Sequence, residues 1–233
     1  MSAASSGPRP QPPLAAPAPH LAHAPHTLAP PAPRVSLDVA ELPDSVFGQR
    51  DIMWWGTIGF IAIEGFTLVI CAFVYLYLWK NFDEWPPYGT LRPSVGIPTL
   101  QVALMLLSLP LVAWTQRATR RFDVPRVRLG FWIATVFNAA FVGLRFAELI
   151  VSLNVRWNTN AYGSAAWLVL GTHGTLLLVE LVEVAGFALF FQFGVPEEKH
   201  FADASDVGTY WYFMVLAWIP LYVLCIWGPR FIT

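Results

Sequence analysis

Six ionisable residues, Glu64, Arg145, Glu148, His173, Glu180 and Glu183, stand inside stretches of otherwise apolar sequence. An ionisable group in hydrocarbon is costly, so such residues turn toward protein or water and mark candidate functional sites. Their spacing is helical. Asn138 and Arg145 are seven apart and share a helix face, and Glu148, three residues on, can pair with Arg145. His173 and Glu180 are also seven apart, with Glu183 one turn further. Each of these two helices should therefore carry one polar stripe directed into a bundle. With antiparallel helices, Glu64, Glu180 and Glu183 fall in one layer, and Arg145 and His173 in another. Three carboxyls in one low-dielectric layer cannot all stay ionised, which suits proton exchange. The same groups serve equally as hydrogen-bonded glue between helices. The residues alone leave both readings open.

Redox chemistry can be tested by counting ligands. A bis-histidine heme needs two axial histidines, and His173 is the one histidine within an apolar stretch. Met105 and Met214 are the alternative axial donors, and there is no CxxCH attachment motif. Glu180, Glu183 and His173 could offer three ligands to copper or non-heme iron, but their spacing is not the Glu-x-x-His of di-iron bundles. The expectation is a chain with no catalytic, cofactor-binding or metal residues of its own. Cys71 and Cys225 read as small buried apolar residues. No basic patch supports nucleic-acid binding.

The elements that position these residues are five apolar stretches, at about 53–79, 97–116, 129–153, 164–193 and 209–228. About 20 helical residues cross the ~30 Å hydrocarbon core. Charged residues are only 12% of the 233, too few to coat a soluble bundle of this size. The predicted fold is all-α, a polytopic transmembrane bundle of five spanning helices behind a disordered proline-rich arm. Residues 1–45 form that arm and hold 11 of the 20 prolines, while 46–233 form the membrane domain. The arm has no signal-peptide pattern, and His20, His23 and His26 within it make at most a loose metal site. Proline-rich chain can dock as polyproline II, so a cytoplasmic partner for the arm is one reading.

Arg117, Arg120, Arg121, Arg126 and Arg128 crowd the connection between the second and third stretches, which places it in the cytoplasm. The arm and the acidic 194–208 loop then share that side, and the C-terminus lies outside. Trp54, Trp55, Trp79, Trp85, Trp157, Trp211 and Trp227 are expected near the interfaces. The second and fifth helices read as plain apolar walls. An odd helix number without repeats argues against a two-half transporter, although an independent proton-coupled transporter built on the three carboxyls is a second hypothesis.

Three stretches resemble subunit III of the heme-copper oxidases, the cytochrome c oxidase family. One is IGFIAIEGFTLVICAFVYLYL with Glu64 at its centre. The second runs from Phe146 and Glu148 through a Tyr162-Gly163-Ser164 loop to Gly171-Thr172-His173-Gly174 at the start of the next helix. The third is Tyr210-Trp211-x-Phe213, followed by Trp218, Tyr222 and Trp227. Their order and spacing carry the resemblance over most of 50–230, and the five-span, N-terminus-inside topology is similar to the family's short form. The chain departs from the longer members at Leu176, Tyr212 and Val215, and Glu180 and Glu183 are additional carboxylates.

The resemblance implies an accessory role in aerobic electron transport, beside a catalytic subunit I and a subunit II that hold the hemes and copper. It implies support of proton uptake, contact with membrane lipids including a structural phospholipid, and residence in the bacterial cytoplasmic membrane. Glu64 becomes a buried carboxyl near partner or lipid, and His173 and Glu148 become helix-to-helix partners. A subunit III-like component of a nitric oxide reductase complex shares the same pattern.

Overall fold

In a computed structural model of the chain, residues 46–231 are described. The expectations for the arm, its histidines and its partner lie outside the described residues. After a short 3₁₀ turn, Gly48–Arg50, come five long helices: α1 Ile52–Lys80, α2 Gly96–Thr119, α3 Val124–Ser152, α4 Ala161–Phe193 and α5 Glu198–Phe231. All five are long and apolar enough to cross a membrane, and there is no strand among the described residues. The fold is the all-α, five-helix bundle expected.

The helices pack out of chain order. α1 lies against α4 and α5, α2 against α3 and α5, and α3 against α4, closing a ring 1-4-3-2-5. One end of the bundle gathers the arginine-rich turn between α2 and α3 and the turn between α4 and α5. There Arg128 Nε donates to the Phe191 carbonyl, and Phe122 packs edge-on against Phe201. The opposite end is laced by Ser94 N to Ser152 O, Thr99 to Tyr222, and Arg230 to the Pro93 and Ile226 carbonyls.

Burial follows narrow stripes. On α1 only Glu64, Leu68, Cys71 and Tyr75 are buried, a single face at 3–4 spacing, while Phe60, Ile63, Phe66 and Phe73 are exposed. Lipid tails are as apolar as leucine, so exposed phenylalanines carry no penalty there, and packing rather than hydrophobic burial joins the helices. Pro110 in α2 and Pro220 in α5 each remove a backbone donor, and both stand on exposed faces of their helices. α3 ends in a widened π turn, Glu148–Ser152, and α5 contains one, Val223–Trp227, just before its last turn.

Three expectations change here. Residues 198–208 are helical and extend α5 well before position 209. Tyr162-Gly163-Ser164 is not a loop but the first turn of α4, capped by the Asn160 side chain accepting from Gly163 N at 2.8 Å, and Gly171–Gly174 lies within that helix rather than at its start. Trp85 and Trp211 are buried rather than interfacial: Trp85 packs edge-on between Tyr75 and Tyr162, with centroids 5.3 and 5.2 Å away.

Gly163 is required by close approach. A Cβ there would sit 2.3 Å from the Arg156 carbonyl oxygen, a backbone atom that cannot rotate away. Gly163→Ala should lower stability by about 1–3 kcal/mol through overpacking. Gly186→Ala, whose Cβ meets nothing within 4 Å, should leave it unchanged or slightly raised. Thermal unfolding of the two variants side by side in mild detergent checks this contrast.

Candidate functional site

Two buried polar groupings occupy the bundle, and the first centres on Arg145. Its guanidinium is 2% exposed and donates from Nη1 to Glu148 Oε2 at 2.5 Å, across one turn of α3. Nη2 lies 3.1 Å from His173 Nδ1 on α4, and His173 Nε2 lies 3.2 Å from the Met214 carbonyl on α5. A guanidinium can only donate and a carbonyl can only accept. His173 must therefore accept at Nδ1 and carry its proton on Nε2, the neutral tautomer. Both ring nitrogens are then committed, which leaves no lone pair for a heme iron.

Trp218 covers this group, with Arg145 Cζ 3.7 Å from its ring centroid and the His173 ring 5.0 Å away. Such a cation–π contact is strongest where water is excluded, as here. Gly174 makes room for the arginine stem, because a Cβ would stand 2.8 Å from Arg145 Cγ. One ion pair on α3 thus ties three helices together.

The second grouping holds the carboxyls. Tyr210 on α5 donates its hydroxyl to Glu64 Oε2 on α1, joining two of the motif stretches. Glu180 is fully buried, and neither of its oxygens has a hydrogen-bond partner among the described residues. It lines a cavity of about 40 Å³ together with Ser108, Thr115, Gln116, Asn138 and Trp211. Glu183, expected inside the bundle, is exposed. Three residues advance a helix by 300°, so Glu183 turns off the inward face that Glu180 occupies. It stands instead on an open cleft of about 450 Å³ between α1, α4 and α5, with Asp203, Asp206 and Tyr210.

α2 and α5, expected as plain walls, supply much of the buried polarity. Gln101, Ser108 and Thr115 are buried on α2 at a spacing of seven, a stripe readable in the sequence by the same rule that finds Asn138 and Arg145. Trp211 donates to Ser108 Oγ at 2.8 Å, and Gln116 donates to the Ser205 carbonyl at 2.8 Å. Asp206 is 6% exposed with Oδ2 unpartnered among the described residues. Its place in an acidic stretch that reads as a loop hides it from sequence inspection. Among the described residues no group of three His, Cys, Asp or Glu side chains is placed to hold a metal ion.

No family model matches the chain. Individual relatives do. It is 24% identical over 185 residues to cytochrome c oxidase subunit 3 of Thermostichus vulcanus, covering 78% of this chain and 90% of that protein. Cytochrome c oxidase subunit 3 of Synechocystis sp. is 22% identical over 182 residues, 76% of each chain. The protein of the same name from Chondrus crispus is 27% identical over 176 residues, 70% of this chain and 64% of that one. These three likenesses, over 70–78% of the chain, support the cytochrome c oxidase subunit III family. It is a multi-pass membrane protein, with five helices long and apolar enough to span. Within this chain the three motif stretches are not separate features. Glu64 meets Tyr210, Glu148 meets His173 through Arg145, and Trp218 closes over Arg145 and His173.

Proposed function

We propose that this chain is the non-catalytic accessory subunit of a heme-copper terminal oxidase, stabilising the catalytic subunit and supporting its proton uptake. The observation that carries the reading is the extent of the match. The likeness runs through 90% of the Thermostichus vulcanus protein, so it covers a whole subunit rather than one shared helix. The internal chemistry is of the same kind: Arg145, Glu148 and His173 spend their hydrogen bonds on each other and on the Met214 carbonyl.

In this reading subunits I and II are the partners, and the hemes and copper reside with them. The arginine-rich end of the bundle faces the cytoplasm of a bacterium, with residues 1–45 as an arm on that side and the C-terminus outside. The acids of the open cleft lie toward that inner face, where protons are taken up.

Purification through this chain in mild detergent, followed by a visible spectrum, tests the proposal. Co-purifying heme a with oxygen consumption is the expected result. A colourless, monodisperse single protein would overturn it. Heme without oxygen consumption, but with nitric oxide turnover, would move the chain to the reductase complex.

A further inference from the structure

Glu180 has a problem that the proposed function does not solve. A fully buried carboxyl without a hydrogen-bond partner is expensive in an apolar medium whether charged or neutral. Asn138 faces the same cavity and has the same difficulty: it is 2% exposed and its Oδ1 is unpartnered among the described residues. Two unpartnered polar side chains from different helices therefore line one small space. A water needs roughly 10–15 Å³ of such space and two to four polar partners. About 40 Å³ is room for about two or three waters. Glu180 and Asn138 offer three acceptor oxygens, and the Ser108 and Thr115 hydroxyls stand beside them.

The cavity also has a neighbour. The open acidic cleft lies against it, and Val207 borders both. On the cleft side stand Glu183, one turn from Glu180 on the same helix, and the largely buried Asp206 with its free Oδ2. The titratable groups near Glu180 are Glu64 from α1, Glu183 from α4 and Tyr210 from α5, while Asp206 of α5 faces the cleft. α2 and α3 present only neutral groups to the cavity, Ser108, Thr115, Gln116 and Asn138. Among the described residues lining the cavity there is no cation to hold Glu180 permanently ionised.

We propose that Glu180 and Asn138 enclose an internal water site in which Glu180 exchanges protons with the open cleft, by way of Glu183 and past Val207. One O–H bond breaks on a hydronium or on the Glu183 carboxyl, and one forms on a Glu180 oxygen. No other bond changes and no electron moves. The inference rests on the proton-uptake part of the proposed function for its purpose, but not for its chemistry, which needs only this chain.

Infrared absorption of the full-length protein, in whatever complex it purifies with, is recorded in lipid while the pH is stepped and after transfer to deuterated water. A protonated-carboxyl carbonyl band is expected that is lost in Glu180→Gln and shifts on deuteration. Glu183→Gln should slow that shift by about tenfold or more, as removal of a proton-transfer group does. Asn138→Leu should keep the band but slow its exchange, which guards against a Glu180 variant that merely misfolds. Absence of a Glu180-dependent band at every tolerated pH overturns the proposal, as does a band that does not shift in deuterated water. Neither result depends on heme co-purification. A colourless protein with an exchanging band would sink the oxidase reading and leave this one standing.

Discussion

Replacing Arg145 with leucine is expected to lower the stability of the purified protein by about 3–5 kcal/mol, the cost of stranding one member of a buried ion pair. Glu148 is fully buried, its Oε2 is held by Arg145 alone, and its Oε1 is unpartnered among the described residues. The same change takes the donor from His173 Nδ1, so α4 loses one of its hydrogen-bonded ties to α3. Arg145→Leu combined with Glu148→Leu should recover most of the loss. An apolar pair of similar volume leaves no charge stranded, and such exchanges are often neutral. Arg145→Lys should fall between them. An ammonium can meet Glu148, but it lacks the planar fork that reaches His173 and lies on the Trp218 face. Unfolding in mild detergent followed by near-ultraviolet circular dichroism reads all three variants. Equal losses in the single and double leucine variants would show that the pair is not what holds the site.

Trp218→Ala is expected to cost about 3 kcal/mol, near the low end for removing a buried tryptophan. The low end applies because helices separated within a bilayer do not expose their side chains to water, so cavity and contact losses dominate over transfer. Trp218 is 1% exposed and roofs both Arg145 and His173. Part of its effect should therefore depend on the guanidinium. In the Arg145→Leu, Glu148→Leu background the cost of Trp218→Ala should shrink by about 1–2 kcal/mol, the share owed to a desolvated cation–π contact. A double-mutant cycle measures that share, and full additivity would deny the coupling.

Both effects trace to residues whose spacing is visible before folding. Arg145 and Glu148 are three apart on one helix, so local geometry alone allows the pair. That His173 completes the bridge needs α3 and α4 to be neighbours, and adjacency in the ring 1-4-3-2-5 is a property of packing. Likewise, nothing local joins Glu64 to Tyr210, which are 146 residues apart.

The five helices, their lengths and the presence of costly groups inside them were determined by sequence alone. Hydrophobic length against a fixed bilayer thickness is a one-dimensional property, and an ionisable residue within such a stretch announces itself. Which way each polar group faces was decided only by the tertiary structure. A helix apolar on all sides has no amphipathic face to read, because lipid and protein interior reward the same side chains. That is why Glu183 turns out to stand on an open cleft, and why Glu180 meets a cavity shared with Asn138. Sequence could name the ionisable residues of this chain; only the packing of five helices could decide which of them meet.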